Sequence, residues 1–555
     1  MKRFKKVFAV LLTLAMVLGM SITTFAAGSA TITVNGLPTD REIKLEYVKV
    51  IEADQTTSTG WAFSSPEIQM IYINAFKAAE AADINATDAA ATDRNSEAAQ
   101  NVIKQLISIA KGEVSDTTGT NSTEIAQALS DVRNSDNVTF TEMSGNGQQV
   151  TEAGVYAIKA TEKTPEGEVL KYTFNTMAAY VGFGEVKDEE GNVTGSYPTL
   201  MDTSVTAKMS EITFDKSEDD LDDVVGVGDI VDFTIKVTVP YVEAGRPLTE
   251  KTFFIYDEVQ GGEYTALDTA TIKMGDTDLK ATEENGGYGA AIVATDNNTK
   301  FSIDLSNLIN TANTNAGKEV IVSYKVKVTG TQTIDNKAYA GHKDDSYDDA
   351  HYGKDDEKLY TGIITVTKTD EGTTPLENAG FEVTINDEIV YFTKTEAGVY
   401  QRVVTEDVPD DVKTALDQAA EKNSTNISEL EVEKDNVTYV RQVFTKADGT
   451  IKLNGLDVGT YKITEKTAPE GYSINENIED VTLEVKEGEN GEKEEGTGNL
   501  VAIENIAGER TVQDTKLSAL PSTGGIGTTI FTIGGCAIII VAAGLFFASR
   551  RKSAK

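Results

Sequence analysis

The stretch Gly228-Asp229-Ile230-Val231-Asp232-Phe233-Thr234-Ile235-Lys236-Val237-Thr238-Val239-Pro240 reads as an edge turn followed by one long strand. Its apolar residues Val231, Phe233, Ile235, Val237 and Val239 recur at every second position. A period of two puts those side chains on one face of a sheet and the polar ones on the other. Working outward, Phe253-Phe254-Ile255-Tyr256-Asp257, Phe301-Ser302-Ile303-Asp304-Leu305 and Val320 to Val328 carry further strand patterns. Many short strands with turn signals and little helix between them predict a β-sandwich, here over residues 200–353.

Upstream, Ala30 to Val34 and Ile43 to Val50 alternate as strands. Helical patterns follow at Pro66 to Ala82, from Asn95 or Ser96 to Lys111, and from Ser122 to Arg133. Strands resume at Val138 to Phe140, Gly154 to Ile158 and Leu170 to Phe174. Residues 28–199 therefore read as a β domain with a helical insertion, and the single Trp61 as a packing residue. Downstream, Asp344, Asp345, Asp348, Asp349, Asp355 and Asp356 form an acidic stretch. It lacks the glycine and terminal Glu of an EF-hand loop, so it reads as a solvated linker. Residues 354–510 form a third β domain, opening on Ile363 to Asp370, with a strand at Val458 to Glu465 and a last strand at Leu500 to Ile506. A Gly, Glu and Lys-rich hairpin spans Lys486 to Gly498, and 511–519 reads as a polar stalk. The fold class expected is mainly β, tandem Ig-like sandwiches, the first with a helical insertion.

Both ends carry export signals. Lys2, Arg3, Lys5 and Lys6 precede an apolar core, Val7 to Met20, and small residues near Ala27, which predicts a signal peptide over 1–27. At the other end Leu520-Pro521-Ser522-Thr523-Gly524 precedes an apolar run, Ile526 to Phe547, and a tail with Arg550, Arg551, Lys552 and Lys555. The run exceeds the about 20 residues that span a bilayer, and the basic tail stays on the cytoplasmic side. Membrane insertion is thus expected as a transient step. Pro521 pushes Leu520 towards an extended backbone, the form a cleft-bound substrate takes. A formal net charge of −39 over 555 residues argues against nucleic acid as a partner. The one cysteine, Cys536, lies inside the apolar run, so the exported body has no disulfide. There are two histidines and no HExxH, CxxC or GxSxG motif, so no enzyme, metal or cofactor is expected.

The C-terminal arrangement resembles the cell-wall sorting signal of Gram-positive bacteria. That resemblance implies a sortase that cleaves between Thr523 and Gly524 and transfers Thr523 to an amine, with peptidoglycan as the final anchor. Tyr461-Lys462-Ile463-Thr464-Glu465-Lys466-Thr467-Ala468-Pro469-Glu470-Gly471-Tyr472 resembles the E-box of sortase-assembled pilins. Lys368-Thr369-Asp370 and Gly380-Phe381-Glu382-Val383 resemble the first strands of a collagen-adhesin B-type domain. The family implication is a spontaneous isopeptide bond between Lys368 and Asn505, assisted by Glu465, with loss of ammonia. The middle domain resembles a collagen-adhesin A-like sandwich, which implies a Lys216–Asn336 bond assisted by Asp257. The chemistry is physically sound. Burial frees the lysine amine as a nucleophile and keeps the acid protonated, so that it polarises the amide.

The resemblance also departs from the family. Shaft pilins carry Tyr-Pro-Lys at the end of the first domain, whereas Tyr197-Pro198 is followed here by Thr199. Lys208 is the nearest downstream candidate for the polymerising lysine. The implied role is a structural subunit of a sortase-polymerised pilus shaft, partnered by sortase, further copies of itself, minor pilins and peptidoglycan. The alternative is a single-copy wall-anchored adhesin or minor pilin that binds a host surface ligand through the helical insertion.

Overall fold

The computed structural model describes residues 28–546, apart from 79–91, 111–120, 188–192, 221, 244–250, 282–286, 310–313, 423, 485–506 and 517–535. The expected signal peptide, Asn505, the Leu520–Gly524 motif and the expected Lys486–Gly498 hairpin lie outside the described residues. The described chain divides into two compact units: one runs to Asp223 and resumes over Asp229–Leu359, and the other holds Val224–Gly228 and the chain from Tyr360 onward.

The first unit contains both the helix-bearing domain and the middle sandwich. In the former, Pro66–Ala78, Glu97–Ala110 and Asn121–Asn134 are helices. Ile73, Phe76, Val102, Ile103, Ala128 and Val132 on them are fully buried in one core with Ile32, Phe63 and Ile158 of the strands. The insertion is thus part of the domain's core. The expected strand at Val138 to Phe140 is absent, and the pairing strand is Thr141–Glu142. Glu243, from the middle segment, is buried against the helix-bearing domain. It accepts from Arg133 at 3.2 Å, from the Thr176 hydroxyl at 2.7 Å and from Asn134 at 3.3 Å.

The middle sandwich has a six-stranded sheet and a five-stranded sheet. In the first, Phe214–Glu218 pairs with Ile230–Thr238, which pairs with Glu319–Val328. In the second, Phe254–Gln260 lies between Lys300–Asp304 and Thr333–Gly341. The alternation read from Val231 to Val239 holds, since Val231, Phe233, Ile235 and Val237 are all buried. At about 25 cal/mol per Å² of apolar area, such inward faces supply most of what holds two sheets together.

The second unit is a sandwich of a seven-stranded and a five-stranded sheet. Its opening strand, Gly362–Asp370, pairs in parallel with the last, Ala507–Asp514. Residues 511–514, expected as stalk, are therefore the second half of a strand, with Val512 and Asp514 buried. Near the C-terminus residues 536–546 are helical, and Ile538, Ile539, Ile540, Val541, Leu545 and Phe546 are exposed. No helix among the described residues is long and apolar enough to cross a membrane.

Candidate self-cross-linking sites

In the middle sandwich the register sends three polar side chains inward. Lys216 pairs with the fully buried Ile235. Asp257 lies on the inward face of its strand between Ile255 and Val259, and Asn336 lies between Ile334 and Ala338 on the neighbouring strand. The Lys216 and Asp257 side chains are 0 % exposed and form an ion pair. Lys216 therefore crosses from one sheet to the acid and amide of the other. Asp257 is well supplied with donors: Tyr264 donates to its Oδ1 at 2.7 Å and Tyr324 to its Oδ2 at 2.6 Å. Lys216 Nζ also lies 2.6 Å from the Tyr324 hydroxyl and 5.1 Å from the centre of the Phe233 ring.

The Asn336 amide fits this pocket best with its oxygen towards the lysine. That oxygen then accepts from Lys216 Nζ and from the Tyr324 hydroxyl, each at 3.2 Å, while the amide nitrogen donates to Asp257 Oδ1 at 2.8 Å. Burial pushes the Lys216 ammonium down, against the pull of the Asp257 charge. Burial likewise pushes the Asp257 carboxyl up, against Lys216 and the two tyrosine hydroxyls. Both directions favour the neutral amine beside the neutral acid.

In the second unit, Lys368 is 0 % exposed and follows Ile364 and Val366 on the inward face of the opening strand. Its Nζ donates to Glu465 Oε2 at 2.9 Å across the sandwich, and it contacts Asp514 Oδ1 on the adjacent parallel strand. Asp514 thus stands beside Lys368 where Asn505 was expected. Glu465 Oε2 also accepts from the Asn475 backbone at 2.8 Å. Glu465 Oε1 and Asp514 Oδ2 are buried with no hydrogen-bond partner among the described residues. Burial pushes the Glu465 carboxyl up to about 7, opposed by the Asn475 and Lys368 hydrogen bonds.

The remaining candidates lie apart from these clusters. Lys208 sits half-buried between two short strands, Thr203–Thr206 and Met209–Glu211, and burial lowers its ammonium pKa. Thr199 is exposed. Among the described residues no group of three or more His, Cys, Asp or Glu is disposed to hold a metal ion. Asp514, Tyr324 and Tyr264 are the site residues that sequence reasoning missed. Each is buried in the structure, but the Asp514 strand has only Val512 as a large apolar residue, so no alternating pattern marks Asp514 in the sequence.

Comparison with known proteins identifies two stretches of the chain. The SpaA model, described as a prealbumin-like fold domain, matches residues 362–495, and the LPXTG cell wall anchor motif matches residues 512–555. The chain is therefore mainly β and carries a cell-wall anchor that places it at the bacterial surface. No curated protein matches it. Similar solved structures include the T6 backbone pilin of Streptococcus pyogenes serotype M6 at 14% identity, covering 89% of this chain and 99% of that one with a TM-score of 0.46. The major pilin SpaD of Corynebacterium diphtheriae is 14% identical, with 89% and 99% covered and a TM-score of 0.41. The major pilin SpaA of the same organism is 15% identical, with 88% and 100% covered and a TM-score of 0.39.

Proposed function

We propose that this chain is a structural subunit of a sortase-polymerised pilus shaft, stiffened by two self-formed amide bonds. The observation that carries the proposal is the pair of buried lysines, each in contact with an acid and an acyl donor far away in sequence, in a chain that ends in a wall anchor. A buried lysine ion pair is a poor stabiliser as such, because desolvation offsets its Coulomb gain. Two of them in one chain are better accounted for by chemistry than by packing.

In the middle sandwich Lys216 Nζ attacks the side-chain carbonyl carbon of Asn336, the carbon–Nδ2 bond breaks, and ammonia leaves. Of the two protons that leave the Lys216 ammonium, one stays on Asp257 and one departs on the ammonia. In the second unit Lys368 Nζ attacks the carboxyl carbon of Asp514, and a carbon–oxygen bond breaks. The two protons leaving the ammonium go out with that oxygen as water, and Glu465 relays a proton without net change. The expected Lys368–Asn505 bond is thereby replaced by Lys368–Asp514, with water in place of ammonia. Each bond closes a long loop and restricts the unfolded chain by about 4–5 kcal/mol for some 100 residues.

Thr523 is the acyl donor for polymerisation, and Lys208 is the candidate acceptor, its amine made more nucleophilic by burial. Sortase, further copies, minor pilins and peptidoglycan are the partners. Wall extracts boiled in SDS and immunoblotted test the proposal. A ladder of covalent multimers is expected, and a single wall-linked species would overturn the shaft role. That second outcome fits a single-copy adhesin, which the exposed Thr199 in place of a lysine favours.

A further inference from the structure

The proposed Lys216–Asn336 reaction needs a donor for the charge that develops on the Asn336 oxygen, and Asp257 is not placed to be that donor. Its Oδ1 faces the amide nitrogen, at 2.8 Å, and its Oδ2 faces Lys216. Among the described residues the one hydroxyl that reaches all three reacting groups belongs to Tyr324. It lies 2.6 Å from Lys216 Nζ, 2.6 Å from Asp257 Oδ2 and 3.2 Å from the Asn336 oxygen. Tyr324 is 2 % exposed and its ring is held by three aromatic neighbours. Phe233 stacks on it at 5.9 Å, and Phe301 and Tyr264 meet it edge-on at 5.0 and 5.8 Å.

We infer that Tyr324 is a further catalytic residue of the middle sandwich, the oxyanion donor for amide-bond formation between Lys216 and Asn336. This rests on the reading that the bond forms at all. Before reaction the Tyr324 proton is directed at the negative Asp257 Oδ2. When Asp257 takes a proton from the Lys216 ammonium, that oxygen no longer demands the hydroxyl, which turns to the Asn336 oxygen as Nζ attacks the carbonyl carbon. The tetrahedral oxygen is held by the phenol while Asp257 gives its proton to Nδ2 and takes a second from Nζ in its place. Collapse breaks the carbon–Nδ2 bond and releases ammonia, and the hydroxyl is returned unchanged. Asp257 so acts at the nitrogen end of the amide and Tyr324 at the oxygen end. Among the described residues the Tyr264 hydroxyl bonds only Asp257 Oδ1, and so serves as a positioning group.

The test uses the mature chain with Tyr324→Phe, which keeps the ring and removes one oxygen. Tryptic digestion and mass spectrometry report the Lys216–Asn336 cross-linked peptide. Wild type is expected to be fully linked. Tyr324→Phe is expected to be purified unlinked and to lose ammonia slowly on incubation, about 10²–10³-fold slower than wild type, the usual cost of removing one oxyanion donor. Tyr256→Phe, an equal loss of one hydroxyl on the outer face of the same sheet, away from the site, is expected to be fully linked. Asn336→Ala supplies the thermal midpoint of a folded, unlinked chain. Tyr324→Phe that is fully linked when purified overturns the inference. So does a Tyr324→Phe chain that melts well below Asn336→Ala, since the lost bond would then reflect lost folding. Wild type without the cross-linked peptide overturns instead the reading on which the inference rests.

Discussion

The two buried lysines invite comparison, because each is surrounded differently. Lys216 reaches from one sheet to an acid and an amide that are both on the other, and the site is lined by Phe233, Tyr264, Phe301 and Tyr324. Lys368 has its acyl partner on the adjacent strand of its own sheet and only its assisting acid across the sandwich. The proposed bond at the first site would join two sheets, and that at the second two strands of one sheet. Their polar bookkeeping differs as well. Asp257 has a donor on each oxygen, whereas Glu465 and Asp514 each keep one buried oxygen without a partner. The middle site is therefore stable as it stands, and the other is incomplete until a bond forms.

That contrast breaks most readily at the lysines. Lys368→Met is expected to have the largest effect. It forgoes a cross-link worth about 4–5 kcal/mol and leaves two buried carboxylates facing one another without a cation, a further ~3–5 kcal/mol. Lys216→Met forgoes a comparable bond, but Asp257 keeps Tyr264, Tyr324 and Asn336, so the cost stays near the cross-link alone. Urea melts of the two variants check the order, and equal shifts would erase the distinction between the sites.

Mass spectrometry sharpens the comparison next. The peptide pair joined through Lys216 should be lighter by one ammonia and the pair joined through Lys368 by one water. Asp514→Ala should restore the full mass of the second pair and Asn505→Ala should leave its deficit intact. The reverse result would return the role to Asn505. A third, smaller difference lies in pH. Glu465 is raised from its ordinary value to about 7, so its acid form is present below that pH and lost above it. Chain refolded from denaturant before either bond has formed should link Lys368 more slowly as pH rises through about 7, up to tenfold per unit. A flat profile would remove Glu465 as the proton relay. The smallest effect belongs to Tyr264→Phe, which takes one donor from Asp257 and should cost about 1 kcal/mol in a thermal melt.

Much of the middle site is legible in the sequence. Asp257 and Asn336 each interrupt an alternating apolar face, and a polar residue at such a position is conspicuous. Lys216 has only Phe214 as an apolar neighbour on its strand and is legible through the family resemblance instead. Tyr324 interrupts nothing, because an inward tyrosine passes for core, and its role emerges only when two sheets are closed over it. In the second unit Lys368 and Glu465 are legible for the same reason as Asp257. Asp514 is not. Its strand, Ala507–Asp514, lies at the sheet edge and includes Glu509, Arg510 and Gln513, so its only large apolar side chain is Val512. A period of two needs several apolar residues to be seen, and parallel register has no local signature at all. The helical insertion is legible as helices, yet its place inside the first domain's core depends on packing that periodicity alone does not specify.

The parallel pairing of the opening and closing strands also bears on proteolysis. Once Lys368 and Asp514 are joined, the chain between them is a closed covalent loop. A protease that cuts anywhere within that loop opens the ring but releases nothing, because the two ends remain connected through the amide. Asp514 lies nine residues ahead of Thr523, the proposed point of wall attachment. A subunit nicked in this domain would therefore stay on the cell, held by a bond that no peptidase specific for α-linked backbone is built to recognise.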